Sequence, residues 1–342
     1  LDLIAALQWV NKNIENFGGD KDNVTLFGQS GGGIKVISVM NMPSANGLFK
    51  AGFVMSGLEG TKGSSSHDTN NRELVKNTLE KLGITKENIK DINKINGRKL
   101  LNVYIETYHD MGGKGIPFFG PTKNEDYHGN PIKNGFLQQA KDAKLIVGSN
   151  YAEFLSLPSK YHRYEMTEED MVKAVEDELD KENASKLLPL FHKAFPNHKT
   201  IDILTYDCCC IRPDVYEFCE SRVNSGCNDT YAYFFTPVFK LNEGTTASHS
   251  TDIAFIFNNV KMLPSTDMDG KELNIQYEMV GRLLNFARNN DPQVEGGDIW
   301  HPVARGHLPT MVFDRTTLEK VDFDKELMRE MGKIKSFKLI VG

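Results

Sequence analysis

The sequence predicts an α/β fold built on a mainly parallel sheet. Short, continuous apolar runs recur at residues 24–27, 51–55, 144–148, 230–235 and 309–313, which is how strands covered on both faces read. Helical spacing fills most of the intervals between them, and that alternation is the signature of parallel strands joined by crossover helices. The third observation is a turn. Gly28-Gln29-Ser30-Gly31-Gly32 follows the first run and precedes a helix, matching G-x-S-x-G, a sharp strand-to-helix turn that presents a serine.

Residues 1–16 read as an amphipathic helix with Leu3, Ala6, Leu7, Val10 and Ile14 on one face, closed by Phe17-Gly18-Gly19-Asp20. At the turn, side chains in place of the flanking glycines are expected to collide with strand and helix, and the serine backbone to be strained. Residues 33–42 have helical spacing and Pro43 stops them. Ser30 is then exposed, with free N–H groups and the positive end of a helix behind it. The 51–55 run stops at Ser56-Gly57, and residues 58–72 are a polar Gly/Ser-rich loop. Helical patterns fill 73–108 until Gly112-Gly113 and Pro117-Phe118-Phe119-Gly120-Pro121 break them. A helix is expected over 135–142, and the 144–148 strand ends in Ser149-Asn150. Residues 166–226 are mostly helical, with breaks at Pro189, Pro196 and Pro213. After the 230–235 strand come a loop over 241–251, a helical or turn-like apolar run beginning over 252–257, and a long helix over 274–288. A charged helix over 324–335 follows the last strand. The expected organisation is a single domain over 1–342 with a helical insertion at about 160–226.

Composition narrows the function. A net charge of −6 argues against a general nucleic-acid surface. No apolar run is long enough to span a membrane, and no signal peptide opens the chain. Leu1 begins inside a helical pattern, which reads as an interior start. Five cysteines, three of them consecutive at 208–210, fit reduced thiols in the cytoplasm better than a disulfide framework. They form no C-x-x-C pair and have no histidine nearby, so no metal site is expected.

Reactive groups in such sheets belong on the loops after strand C-termini. Three such places carry suitable chemistry: Ser30, Glu153 and His249. A serine hydroxyl needs an imidazole to take its proton, and a carboxylate fixes the imidazole tautomer.

The same stretches carry a resemblance. They are Ala6-Leu7-Gln8-Trp9-Val10 with Phe17-Gly18-Gly19-Asp20, the Ser30 turn, Met55-Ser56-Gly57, Val147-Gly148-Ser149-Asn150-Tyr151-Ala152-Glu153, and His249-Ser250-Thr251-Asp252-Ile253-Ala254-Phe255-Ile256-Phe257. Asn285-Phe286-Ala287-Arg288-Asn289-Asn290-Asp291-Pro292 and Trp300-His301-Pro302 complete the series. In this order the chain resembles the type-B carboxylesterases, the α/β-hydrolase family that includes bacterial para-nitrobenzyl esterases and the cholinesterases. The resemblance implies Ser30 as nucleophile, Glu153 as triad acid and His249 as base, in the α/β-hydrolase order. It also implies Gly31 as an oxyanion-hole donor, where most relatives carry alanine, and Ser56 as support for the triad acid. Phe118 and Phe119 are candidates for an acyl pocket, and equally for the core.

The resemblance further implies a serine carboxylic-ester hydrolase that forms an acyl-enzyme, acts on small carboxylic esters and needs no cofactor. Acyl transfer to an alcohol and thioester hydrolysis use the same triad. One departure matters. The family places a glycine-rich H-G-G-G type loop, and the early strands, ahead of the first helix seen here. Gly31-Gly32-Gly33 belongs to the turn and Gly112-Gly113 comes too late to replace it. Each lost oxyanion donor costs about 3 kcal/mol. The expectation is a fold lacking its early strands, completed by a separate N-terminal segment or self-associated through the open edge of the Ser30 strand. The alternative is an esterase-like binding module with little or no catalysis.

Overall fold

Strands with apolar residues on both faces are stable only when both faces are covered, and the central strands here meet that condition. The computed structural model describes residues 1–60, 71–113, 121 and 123–334. Its strands are β1 (Thr25–Gln29), β2 (Ala51–Met55), β3 (Lys144–Asn150), β4 (Thr230–Phe235), β5 (Val238–Phe239), β6 (Thr245–Thr246), β7 (Pro309–Phe313) and β8 (Leu318–Val321). Six of them form one sheet in the order β1-β2-β3-β4-β7-β8. All neighbours are parallel except β8, which runs antiparallel to β7. β5 and β6 form a separate antiparallel pair.

The helices are α1 (Asp2–Asn13), α2 (Gly31–Met40), α3 (Arg72–Lys81), α4 (Gly97–Asp110), α5 (Pro131–Asn134), α6 (Gln138–Asp142), α7 (Glu168–Leu179), α8 (Lys181–Ala194), α9 (Ile211–Asn224), α10 (Ile253–Ile256), α11 (Glu272–Asn289) and α12 (Lys325–Met331). Strand side chains alternate between two cores. Val54, Leu145, Val147 and Ala232 pack with Val36, Ile37 and Met40 of α2 and Val215 and Phe218 of α9. Phe53, Met55, Ile146 and Tyr233 face the opposite core, which includes Met171, Leu187 and Phe191 of α7 and α8. Burying each large side chain stabilises by about 1.5–3 kcal/mol. The Arg212 guanidinium holds Asp324 at 2.7 Å with both side chains fully buried, and the Tyr206 and Tyr216 hydroxyls donate to the same carboxylate. That network fixes α9 to the segment ahead of α12.

Several expectations change. β1 is an edge strand, paired only with β2 among the described residues, and Phe27 is half exposed, so this run is not covered on both faces. The apolar face assigned to the first helix is shifted. Ile4 is the buried residue of α1, while Leu3 and Ala6 are exposed. Of the three prolines, only Pro196 lies outside a helix. Pro189 sits within α8, whose Leu187 and Phe191 are buried around it. Pro213 occupies the first turn of α9, where an N–H has no intrahelical acceptor in any case. The helix expected over 135–142 is only the short α6, Gln138–Asp142, and the separate α5 ends ahead of that range at Asn134.

Candidate active site

Parallel strands bring their C-terminal ends to one margin of a sheet. β1 ends at Gln29, next to Ser30; β2 leads into Ser56; β3 leads to Glu153. His249 follows the β5–β6 pair after β4.

Ser30 holds φ 56 and ψ −126, a strained backbone for a residue with a side chain. Its N–H donates to the Met55 carbonyl at 2.8 Å, and its carbonyl accepts the first bond of α2, from Ile34 N–H at 3.1 Å. A Cβ on Gly28 would stand 2.4 Å from the Gly32 carbonyl carbon, and one on Gly57 would stand 2.2 Å from the Ser30 oxygen. Glycine at these two places is what allows the turn. Gly32 has open space beside it, so the expected collision does not arise there. Gly31 opens α2, which leaves its N–H ahead of the first intrahelical bond. Lys35 Nζ donates to the Gly31 carbonyl at 3.1 Å.

Glu153 is buried and has φ 43. Its Oε1 accepts from Ser56 Oγ at 2.6 Å and from Asn150 N–H at 2.7 Å. Its Oε2 lies 2.6 Å from His249 Nδ1. Burial pushes the carboxyl above its ordinary range, and the His249, Ser56 and Asn150 contacts pull it back. The two loops are also joined by backbone: Ala152 N–H donates to Ala247 at 2.8 Å and His249 N–H to Glu153 at 2.7 Å. Asn150 Nδ2 donates to the Ser248 carbonyl at 2.7 Å.

The structure therefore brings Ser56, Glu153 and His249 into one hydrogen-bonded chain. Gln29 Nε2 lies 3.2 Å from His249 Nε2, and the Ser30 hydroxyl makes no hydrogen bond among the described residues. The Phe154 ring lies 4.3 Å from the His249 ring, centroid to centroid. Sequence reading missed both Gln29 and Phe154. The only signal for either was adjacency, to Ser30 and to Glu153. Phe118 and Phe119 lie outside the described residues.

Further carboxylates stand behind the site. Asp207 accepts from Cys210, Ile211 and Arg212 N–H groups at the start of α9, and burial with the nearby Glu153 charge pushes it up to about 6. Asp214, also buried, is pushed up to about 7, chiefly by burial and against a hydrogen bond from Gly60 N–H. A cavity of about 550 Å³ is walled by Leu155, Leu157, Tyr161, Arg163, Thr246 and Ser248, next to the segments that carry Glu153 and His249. Among the described residues no cluster of His, Cys, Asp or Glu could hold a metal ion. No helix there is long and apolar enough to cross a membrane.

Residues 1–329 match the model of the Carboxylesterase family. The para-nitrobenzyl esterase of Bacillus subtilis (strain 168) is 24% identical over 97% of this chain and 66% of its own length. Human carboxylesterase 5A is 48% identical over 20% of this chain and 12% of its own. Among solved structures, an esterase from Clostridium hathewayi, described as able to hydrolyze aliphatic aromatic polyesters, superposes with a TM-score of 0.87. It is 31% identical, over 97% of this chain and 66% of that one. The chain thus spans just under two thirds of the length of these two bacterial relatives. With a mostly parallel sheet flanked by helices, it has the α/β-hydrolase fold. From its first helix to its last, the chain belongs to the carboxylesterase family.

Proposed function

We propose that this chain carries the catalytic residues of a serine carboxylic-ester hydrolase acting on small carboxylic esters. Ser30 Oγ attacks the ester carbonyl while its proton passes to His249 Nε2. Glu153 holds the Nδ1–H tautomer and offsets the imidazolium charge. The Gly31 N–H, at the positive end of α2, faces the developing oxyanion. His249 then protonates the departing alkoxide, and water, activated by the same ring, releases the acid from the acyl-enzyme. No metal or organic cofactor takes part, and the consecutive thiols fit a reducing cytoplasm.

One observation carries the reading: a serine held at φ 56 directly after Gln29, whose amide meets a histidine with its Nδ1 2.6 Å from a buried carboxylate. The relative described as hydrolysing polyesters adds oligomeric aliphatic–aromatic esters to the substrates worth testing. The other reading, a non-catalytic or weakly active binding module, draws on the Ser30 hydroxyl having no hydrogen bond among the described residues. An organophosphonate and a p-nitrophenyl short-chain ester separate the two. The expected result is labelling of Ser30 and turnover, both abolished by Ser30→Ala; labelling that survives that substitution would sink the assignment.

A further inference from the structure

We propose that Gln29 is a positioning residue for His249, its side-chain amide donating into the ring nitrogen that receives the Ser30 proton. It has this role in turnover only if Ser30 and His249 act as set out above. Gln29 is the last residue of β1, in register with Met55 of β2, so its backbone is fixed on the strand that presents Ser30. Its Nε2 is 3.2 Å from His249 Nε2. On the far side of the ring, Nδ1 lies 2.6 Å from Glu153 Oε2. An ionised carboxylate only accepts, so Nδ1 carries the proton and Nε2 of the neutral ring presents a lone pair. The Gln29 amide N–H fills that lone pair. Phe154 lies against the ring face at 4.3 Å, so the imidazole is held on three sides.

Two consequences follow for the proton. In the resting site the Gln29 amide competes with the Ser30 hydroxyl for the same lone pair, so attack requires the amide to give way. When the proton leaves Oγ for Nε2, the Oγ–carbon bond forms and the carbonyl π pair moves onto oxygen. Gln29 neither gains nor loses a proton. An amide N–H held at that place would have no acceptor once Nε2 carries the proton, so this hydrogen bond belongs to the neutral ring alone. The charged groups around the ring are Glu153 from the β3 end and Asp252 from the ring's own loop. Asp207, ahead of α9, is near enough to feel the Glu153 charge, and Lys35 of α2 stands at the Gly31 carbonyl. Substituting Gln29 removes none of them.

The test compares Gln29→Met, of similar length without a donor, and Gln29→Glu with the unchanged chain. Two readouts are taken: the pH profile of kcat/KM on a p-nitrophenyl ester, and the NMR titration of the His249 ring protons, assigned with His249→Gln. In Gln29→Met the acid limb and the titration should both move to higher pH by about half to one unit, the worth of one neutral hydrogen bond. In Gln29→Glu they should move further, because a carboxylate favours the imidazolium. A residue that only supports the fold would change the rate at every pH without moving either curve. An unmoved or acid-shifted titration in Gln29→Met overturns the proposal. If the unchanged chain shows neither turnover nor Ser30 labelling, the ester-hydrolase reading fails. The ring titration, which needs no turnover, still decides whether Gln29 donates to His249.

Discussion

Asp214→Asn should flatten the pH dependence of stability. Asp214 is buried on α9 with Gly60 N–H as a hydrogen-bond donor, and burial raises its pKa from 3.8 to about 7. Its folded-state pKa therefore lies above the unfolded one. The folded chain binds the proton more tightly, so this stabilisation is full below the unfolded value and is lost as pH rises through about 7. Between pH 5 and pH 8 that loss amounts to about 2–3 kcal/mol. Asparagine keeps an oxygen for Gly60 N–H and carries no charge at any pH, so it removes this dependence. Urea unfolding at several pH values across that interval measures it. The unchanged chain should lose stability relative to Asp214→Asn as pH rises, with the gap levelling off above neutrality. Asp207, pushed up to about 6, is present in both proteins, and the part of its effect that acts through Asp214 belongs to the measured difference. Parallel curves for the two proteins would refute the reasoning, since they would mean Asp214 is ionised in the folded chain throughout.

Two further predictions concern the site and the sheet edge. Ser56→Ala removes a 2.6 Å hydrogen bond to Glu153. A bond to a charged group is worth about 1.5–3 kcal/mol, so kcat/KM on an ester should fall by about tenfold or more; an unchanged value would show that Asn150 N–H alone holds the carboxylate. β1 offers an unpaired edge among the described residues, with Phe27 half exposed against Phe257, and such edges pair with other strands. Light scattering should show concentration-dependent association that Phe27→Lys weakens, whereas a monodisperse monomer at every concentration would count against an adhesive edge.

The central strands were legible because burial on both faces writes itself as an unbroken apolar run, as in Ala51–Met55 and Thr230–Phe235. β8 was not, because Leu318–Val321 is a short, partly exposed edge strand with two charged residues, and its pairing with β7 supplies what its composition lacks. For α1, periodicity picked out Leu3, Ala6, Leu7, Val10 and Ile14, whereas the residue that finds a buried neighbourhood is Ile4, outside that set. Ser30, Glu153 and His249 were readable as motif and order. The contact between Gln29 and His249 was not: the two are 220 positions apart, and Gln29 occupies the unspecified second place of G-x-S-x-G. Only the fold brings a residue chosen by no pattern against the ring.

The backbone bonds that join the Glu153 loop to the His249 loop bear on how this protein can change. The chain leaves β3, passes through α7, α8 and α9, and returns in β4, the strand paired directly beside β3. Exit and re-entry points are therefore clamped side by side whatever lies between them. Lengthening such an excursion is cheap, because doubling a flexible loop adds only about 0.6 kcal/mol of closure entropy. The loop ahead of α7 lines the neighbouring cavity with Leu155, Tyr161 and Arg163, so that stretch can be exchanged or resized while Glu153 and His249 stay joined by their backbone bonds. Change in the shape of that cavity is open to a graft at this one excursion, with the hydrogen-bonded pair of Glu153 and His249 inherited unchanged.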